Sequence, residues 1–577
     1  MKYDNILERF DDAGEEKIMR GLKRIMEMSD KIRPQFSHTW IEPEVPIRAE
    51  LVKEYYIKNT VVKLYNLEEK TEDLYYIMPP EYQMGKDKIK MISNIKESLI
   101  QNFSGDQDVS DHEEIWNYVE KRGHDLLNKV VEEKKEERQK KEKNKSQRIE
   151  ESDKLANVLA KYTAGYGVLE TLLHDDRVED IYVDAPAEDN NVYVEIKNPE
   201  NIRRKCRTNV NLTSEYMDSI ISRFRIKSGE PFSEAFPVLE TDLPEYDTRA
   251  TAIRSPLSDE GIALALRRRS RTMWTLPRLI EAGSLTPLAA GLLSFLIDGR
   301  STFLVGGSRG AGKTTLLGAM MMEFPRSQRI LTIEDTKELP TKKMQSIGYN
   351  VQSTLTGSDK YKGNMKPNEV LRVSLRLGES AIVMGEVRGK EAKTLYEAMR
   401  AGTAGSAVMG TIHGNSADGI YERVVHDIGI SKESFSATDI VVLAGIVRPG
   451  GAQRYERKVI QIAEYDDGEF NDLMEFNEKL QSTDHLKRNS EKIGEVARDW
   501  GLSYSEAIEN IKVRARIREK MVLEAIEKKK DELLGPKWVA KTNSKFWELI
   551  SKYSSDRDYD KIEKRWTDWF EKRIKYA

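Results

Sequence analysis

The stretch that decides the fold of this chain is Thr302-Phe303-Leu304-Val305-Gly306-Gly307-Ser308-Arg309-Gly310-Ala311-Gly312-Lys313-Thr314-Thr315. It opens as an apolar strand, passes through a glycine-rich loop and continues into a predicted helix from about Lys313. Gly307 to Thr314 satisfies the P-loop pattern. Glycines allow backbone N–H groups to turn inward around phosphates, and the positive end of the following helix faces the same anion.

This pattern predicts a P-loop ATPase that takes ATP and Mg²⁺. Lys313 has the reach to contact the β- and γ-phosphates, and the hydroxyl of Thr314 has the chemistry to ligate Mg²⁺. The predicted nucleotide-binding residues are Gly307, Ser308, Arg309, Gly310, Ala311, Gly312, Lys313, Thr314 and Thr315.

Three further apolar runs follow the loop, and each ends in a polar cluster. They are Ile330-Leu331-Thr332-Ile333, Ala381-Ile382-Val383-Met384 and Ser406-Ala407-Val408-Met409. Alternating strands and helices of this kind predict an α/β fold with a parallel sheet, whose site lies at the carboxyl ends of the strands.

Three candidate catalytic side chains stand at these strand ends. Glu334 follows the first run, Glu386 follows the second, and His413 closes the third in Gly410-Thr411-Ile412-His413-Gly414. Phosphoryl transfer needs one acid near the metal and one that orients water. Taken singly, each acid could equally be a solvated strand end, and a lone histidine is more often structural.

A group of arginines precedes the loop: Arg249, Arg254, Arg267, Arg268, Arg269 and Arg271. They form either a solvated basic surface or a set of arginine fingers that reach the γ-phosphate in a neighbouring subunit. The residues themselves leave both interpretations open.

Size and composition narrow the class of protein. The chain has 577 residues, 33% of them charged, and a net charge of −4 that does not indicate a nucleic-acid partner. Cys206 is the only cysteine, which excludes internal disulfides and a multi-cysteine zinc site. We expect no signal peptide, and the longest apolar run, residues 285–297, is shorter than the roughly 17 residues of a membrane span.

Composition along the chain predicts five segments. Residues 1–130 form a first N-terminal α+β domain, and residues 131–154 form a charged helical linker. Residues 155–275 form a second N-terminal domain, residues 276–470 the ATPase core, and residues 471–577 a helical C-terminal extension. In the extension, Ser503 and Glu506 match a capping box, and Gly535-Pro536 predicts a helix stop.

Four motifs together resemble the type II/type IV secretion ATPase superfamily, over roughly residues 150–465. Besides the P-loop, they are an acidic box, an atypical Walker B motif and a histidine box. These read Ile333-Glu334-Asp335-Thr336-Lys337-Glu338-Leu339, Gly385-Glu386-Val387-Arg388-Gly389, and Gly402-Thr403-Ala404-Gly405 through Thr411-Ile412-His413. Asp247-Thr248-Arg249 and Ala265-Leu266-Arg267-Arg268 resemble the family's arginine stretches, with the second alignment uncertain by one position.

The resemblance implies a RecA-like core behind two N-terminal domains, assembled as a homohexamer. Glu334 would be the general base or the acid that positions water, Glu386 would act at Mg²⁺ directly or through water, and His413 would sense the γ-phosphate. Arg249 and Arg267 would act across a domain or subunit boundary.

The same resemblance implies a partner and a location. The ring would work at the cytoplasmic face of the membrane on a polytopic platform protein, which extrudes pilin-like subunits of a pilus, an archaellum or a secretion system. Details of the acidic box and of Ser434-Phe435 through Ala437-Thr438-Asp439-Ile440 look more like archaeal members. Two alternatives remain: a nucleic-acid translocating motor on the same core, and a nucleotide-gated scaffold that no longer hydrolyses ATP.

Overall fold

The structure is a computed structural model that describes most of the chain. The described residues are 31–67, 72–101, 112–137, 145–197, 203–268, 273–356, 367–378, 381–387, 389, 391–400, 407–451, 455–475, 486, 490–553 and 558–575. The chain divides into two compact units, Met1–Arg271 and Thr272–Ala577.

The first unit is built on one mixed sheet. Its described strands are β1 Thr39–Ile41, β2 Ala49–Ile57, β3 Thr60–Leu67, β4 Asp73–Met78, β5 Val178–Val183, β6 Asn191–Lys197, β7 Arg203–Leu212, β8 Val238–Leu243, β9 Thr248–Ile253 and β10 Ala263–Arg268. Its described helices are α1 Lys86–Gln101, α2 His112–Glu137, α3 Lys145–Thr163, α4 Gly167–Leu173 and α5 Ser214–Ser228. The strand order is β2-β3-β4-β7-β6-β5-β10-β9-β8, with β1 also paired to β7.

A parallel pairing joins the two predicted N-terminal segments. β4 lies beside β7 with Asp73 opposite Cys206, so the sheet runs unbroken from residues before 130 to residues after 155. Strands from both predicted N-terminal segments therefore belong to one continuous sheet. β5 and β6 pair in antiparallel fashion on either side of Pro186.

Glu170 is a buried acid in α4. Its side chain accepts a hydrogen bond from the Tyr166 backbone N–H at 2.7 Å. Burial raises the pKa of Glu170 to about 7, against its ordinary value of 4.5, although Lys161 and Lys58 oppose the shift. Between these two values the unfolded chain releases the proton while the folded chain keeps it.

We therefore expect the first unit to lose stability as the pH rises from about 4.5 to 7, with no further loss from this group above pH 7. The full effect corresponds to about 3 kcal/mol. Glu170→Gln removes the ionisation while keeping an acceptor oxygen. The melting temperature of the variant minus that of the wild type should therefore increase as the pH rises from about 4.5 to 7. The exposed Glu234 supplies the control variant Glu234→Gln. Parallel melting profiles for Glu170→Gln and wild type from pH 5 to 8 would contradict the prediction.

The second unit is an α/β layer structure. Its described strands are β11 Phe303–Gly307, β12 Arg329–Glu334, β13 Asn350–Leu355, β14 Ala381–Met384, β15 Val408–His413, β16 Ile440–Val447, β17 Glu456–Asp466 and β18 Glu469–Glu475. Its described α-helices up to residue 435 are α6 Leu276–Glu281, α7 Pro287–Asp298, α8 Lys313–Met321, α9 Thr341–Ser346, α10 Pro367–Leu375, α11 Glu391–Arg400, α12 Ala417–Glu422 and α13 Lys432–Phe435. The remaining described helices are α14 Glu491–Asp499, α15 Tyr504–Lys528, α16 Pro536–Tyr553 and α17 Tyr559–Ile574.

Strand order confirms the predicted parallel sheet. The order is β13-β12-β14-β15-β11-β16-β17-β18, and β11 runs parallel to both of its neighbours. β17 and β18 extend this sheet in antiparallel fashion. The three predicted apolar runs become β12, β14 and β15, so their carboxyl ends meet at one edge, next to the loop after β11.

The helices after residue 490 pack on one another and on α6 and α7, and they share a hydrophobic core with the sheet. Gly291 of α7 lies directly under α15, where an added Cβ would approach the Ile511 carbonyl oxygen to 2.4 Å. Buried residues of α8 and α17, such as Leu317 and Trp566, belong to one apolar cluster. The predicted C-terminal extension is thus part of the compact second unit.

Two sequence signals in these helices had different outcomes. The capping box of Ser503 and Glu506 is confirmed at the start of α15. The predicted stop at Gly535-Pro536 is wrong, because α15 ends at Lys528 and Pro536 begins α16. Proline is well tolerated in the first helical turn, where its missing N–H has no partner to lose.

The apolar run at residues 285–297 lies mostly in α7, whose inner residues are buried in the core. None of the described helices is both long and apolar enough to cross a membrane.

Candidate functional site

The loop between β11 and α8 requires its glycines. Gly310 and Gly312 have φ angles of 79° and 94°, in the left-handed region that side chains disfavour. An added Cβ on Gly307 would lie 2.3 Å from the carbonyl oxygen of Ala444 in β16. The backbone therefore adopts a loop that only this pattern of residues permits, directly before the first turn of α8.

Lys313 begins α8 and folds back over the loop. Its side chain is nearly buried, and its Nζ donates to the carbonyl oxygens of Gly307 and Ser308 at 3.1 and 3.0 Å. The same Nζ lies 3.3 Å from Nδ1 of His413. The ammonium group is thus held at the mouth of the loop by carbonyl groups that a phosphate could displace.

His413 reaches Lys313 because of the sheet register. β11 and β15 run in parallel with Gly307 opposite His413, which brings the end of the third predicted strand beside the loop. The other ring nitrogen, Nε2, lies 3.1 Å from Oε1 of Glu386. Because an ammonium group has no lone pair, Nδ1 accepts from Lys313, and the hydrogen of a neutral His413 ring therefore sits on Nε2.

Backbone bonds to the neighbouring strands hold Glu386 in place. Gly385 donates its N–H to the Ile333 carbonyl at 2.9 Å, and Val387 donates to the Thr411 carbonyl at 2.7 Å. Lys313, His413 and Glu386 thus form one connected series of side chains from three adjacent strand ends. Arg388 of the same motif and residues 402–405 of the histidine box lie outside the described residues.

Glu334 is the last residue of β12 and lies beside Gly385, since an added Cβ on Gly385 would come within 3.1 Å of its Cγ. It is 2% exposed, and its Oε1 accepts hydrogen bonds from the backbone N–H groups of Glu338 and Leu339, both at 2.8 Å. These bonds fold the acidic box over the strand end. The fold brings the Glu338 carboxylate to the P-loop helix, where the Thr314 hydroxyl donates to Oε2 at 3.0 Å.

Two side chains beside the loop were not singled out from the sequence. Glu338 lies four positions after Glu334, inside the acidic box, so the spacing of the two acids was an available signal. Arg457 of β17 donates from Nε to the Gly310 carbonyl at 2.7 Å, across 147 positions of sequence. No local pattern links residues so far apart, and only the pairing of β17 with β16 places this arginine there.

The other predicted loop residues differ in exposure. Ala311 is buried, Ser308 and Thr315 are half-buried, and Arg309 and Gly310 are exposed. Ala311 donates its N–H to the Ser308 carbonyl at 3.3 Å, which closes the turn.

Arg249 and Arg267, both in the first unit, are neighbours. They are direct cross-strand partners on β9 and β10. Arg249 pairs with Glu240 at 3.0 Å, and Arg267 pairs with Asp180 at 2.7 Å. These acids offset the repulsion between two cations placed side by side on a sheet.

Burial distinguishes Arg267 from the next residue. The Arg267 side chain is 53% exposed, whereas that of Arg268 is 8% exposed and donates to the carbonyl oxygens of Leu173 and Asp175. Arg268 therefore stabilises the turn before β5 from inside the unit. Arg254 lies over the Phe232 ring, 5.5 Å from its centroid. Arg269 and Arg271 lie outside the described residues.

Comparison with known families identifies the chain. A family model described as type II/IV secretion system protein matches residues 168–528, more than half of the sequence. The chain belongs to the type II/IV secretion system protein family. This is a family of ATPases, and the predicted resemblance is confirmed.

Relatives within the type II/IV secretion system family come from bacteria and archaea. The chain is 31% identical over 287 residues to a putative conjugal transfer protein of Mycobacterium tuberculosis (strain CDC 1551 / Oshkosh), covering 48% of this chain and 76% of that one. It is 30% identical over 259 residues to an uncharacterized protein of Methanocaldococcus jannaschii, covering 44% of this chain and 35% of that one. The X-ray structure of the Legionella pneumophila ATPase DotB is 15% identical with a TM-score of 0.38, covering 62% of this chain and 92% of that one.

Proposed function

We propose that this chain binds and hydrolyses ATP at the loop after β11. The observation that carries the proposal is the connected series Lys313, His413 and Glu386, which joins three strand ends at the mouth of a glycine loop. A lysine whose ammonium group bonds to displaceable carbonyl oxygens at a helix N-terminus is suited to an incoming phosphate. The predicted binding residues 307–315 supply the surrounding backbone N–H groups.

Lys313 is the residue on which nucleotide recognition depends. A bound γ-phosphate would compete with the Gly307 and Ser308 carbonyls for its ammonium hydrogens. Any movement of Nζ would also change the contact that His413 makes, and His413 in turn contacts Glu386. We infer that His413 reports to Glu386 whether a γ-phosphate is present.

Glu334 is suited to orient or deprotonate the attacking water. Its Oε1 is fixed by two backbone N–H groups, so the carboxylate has a defined direction. Arg457, which bonds to the Gly310 carbonyl, adds positive charge beside the loop.

Mg²⁺ fits the oxygen donors around Thr314. Thr314 and Glu386 are the predicted metal-side residues, and the Thr314 hydroxyl already bonds to a carboxylate, that of Glu338. Mg²⁺ usually keeps several waters and takes only one or two protein ligands beside phosphate oxygens, where it neutralises phosphate charge. The described residues include no group of three or more His, Cys, Asp or Glu side chains arranged to hold a metal ion.

Arg249 and Arg267 are the proposed residues that act across a boundary. They present two adjacent guanidinium groups, and Arg267 is half exposed. Hydrolysis would then depend on the approach of the first unit of the same or a neighbouring subunit, and turnover would become rigid-body motion. The assembly that we propose is a homohexamer.

The motor would drive a type IV pilus-like filament or a type II-like secretion system. We place it at the cytoplasmic face of the membrane, acting on a polytopic platform protein and pilin-like subunits. The family assignment supports a role in secretion. Another relative is named as a conjugal transfer protein, so nucleic acid is an outcome that the test must include.

An ATPase assay on the purified chain tests the proposal. We expect Mg²⁺-dependent release of phosphate that neither single- nor double-stranded DNA stimulates. Light scattering with ATP present should report six copies. Severalfold stimulation by DNA would favour a nucleic-acid translocating motor, and no hydrolysis under any condition would favour a nucleotide-gated scaffold.

A further inference from the structure

The far end of the P-loop helix is buried under the C-terminal helices. α8 ends at Met321, and the carbonyl of Met322 accepts hydrogen bonds from the Tyr349 hydroxyl at 2.8 Å and from Asn543 Nδ2 at 3.3 Å. The next residue, Glu323, is fully buried, and its carboxylate accepts hydrogen bonds from Arg518 and, at 3.3 Å, from Asn543. Residues of α15 and α16 therefore hold the chain directly after α8.

Arg518 belongs to a buried network that spans three helices. It donates to the Arg514 carbonyl at 2.7 Å and to the Ser294 hydroxyl of α7 at 2.6 Å. Arg514, one turn earlier on α15, donates to the Ser294 carbonyl at 3.1 Å and pairs with Asp298 at the end of α7. The network fixes α7, α15 and Glu323, two residues beyond α8, relative to one another.

Thermodynamic stability alone does not explain this arrangement. Burying an ion pair removes two charges from water, and apolar residues of similar volume are often as stable or more so. Glu323 Oε1 and Arg518 Nε are both buried and have no hydrogen-bond partner among the described residues. What such a pair supplies is a fixed geometry, because the guanidinium fork accepts few alternative positions.

The short helix α8 connects Glu323 to the nucleotide site. α8 has nine residues and is therefore about 14 Å long. Lys313 and Thr314 occupy its first turn, and Glu323 lies two residues beyond its end. A tilt at the Glu323 end would shift the lysine ammonium and the threonine hydroxyl against a bound phosphate.

We propose that Arg518 is a positioning residue of the nucleotide site, which acts through Glu323 on the axis of the P-loop helix. The inference rests on the nucleotide site proposed above. It assigns part of the nucleotide-binding geometry to the C-terminal helices, including Asn543, which lies beyond the residues that the family model matches.

The test measures the affinity of the full chain for a fluorescent ADP analogue. Arg518→Met keeps much of the side-chain volume but removes the charge and all the donors. We expect it to weaken binding by about fivefold, a size typical of coupling between distant positions. Arg516→Met is the matched control, since Arg516 lies on the same helix but pairs with Glu509 and Glu563. The control should bind within about twofold of wild type, as expected for a partly exposed ion pair.

Binding is measured at a temperature at which circular dichroism shows both variants folded. Wild-type affinity in Arg518→Met, even with a lowered melting temperature, would overturn the proposal and leave Arg518 a purely structural residue. If Arg518→Met does not fold, Glu323→Gln replaces it, because it keeps the shape and acceptor oxygen of the side chain. Weakened binding in Glu323→Gln supports the proposal, and wild-type binding overturns it. If the wild-type chain itself bound no ADP analogue, the proposed nucleotide site would fail instead.

Discussion

Lys313→Ala is expected to reduce kcat/KM for ATP by about 100-fold or more, the size of effect found when a charge-stabilising donor is removed from an active site. Lys313 supplies the ammonium group that the Gly307 and Ser308 carbonyls hold at the loop mouth. Its removal takes away the contact to the phosphates and also the partner of His413 Nδ1. Steady-state phosphate release measures the loss of turnover, and titration with a fluorescent ATP analogue measures the loss of binding.

Lys342→Ala is the control for Lys313→Ala. Lys342 is an exposed lysine on α9 of the same unit, so its loss changes the net charge equally but leaves the loop intact. We expect activity close to wild type. A folded Lys313→Ala protein with wild-type turnover would remove the nucleotide site from this loop.

Glu334→Gln is expected to separate binding from hydrolysis. The amide oxygen of glutamine can still accept the N–H groups of Glu338 and Leu339, so the acidic box should keep its fold. The variant has no carboxylate to orient or deprotonate water, and we expect kcat to fall by about 100-fold or more. ADP affinity should stay within about threefold, because an equal loss of affinity would mean that binding itself had changed.

Asp335→Asn is the control for Glu334→Gln, because it removes one carboxylate charge from the neighbouring position. Asp335 is the next residue in the chain and is exposed, whereas Glu334 is buried. We expect it to keep most of its turnover. If Asp335→Asn lost as much kcat as Glu334→Gln, the general-base assignment would have to move from Glu334.

The local parts of the site could be predicted from sequence because they depend on short-range rules. A glycine loop between an apolar strand and a helix has few conformations, and parallel strands bring their carboxyl ends together. These rules predict that Glu386 and His413 lie near Lys313, and His413 contacts both residues in the structure.

Interactions between distant segments could not be predicted in this way. Arg457 reaches Gly310 only because β17 pairs with β16, and Arg518 reaches Glu323 only because α15 packs against α7. Charged residues on α15 follow a pattern that suits a solvated helix equally well, so two of its arginines were not recognised as buried. The fused sheet of the first unit depends on a parallel pairing between strands more than 100 residues apart, for which the sequence has no local signal.

That fused sheet has a mechanical consequence. β9 and β10, which carry Arg249 and Arg267, belong to the same hydrogen-bonded sheet as β2 and β3. The link between them runs through β5, β6, β7 and β4. A hydrogen-bonded sheet bends little in its own plane. A displacement of β9 and β10 should therefore also displace β2 at the opposite end of the sheet. If Arg249 and Arg267 move as proposed, a partner bound to β2 would move with them, because β2, β3 and β4 lie at the far end of the same sheet.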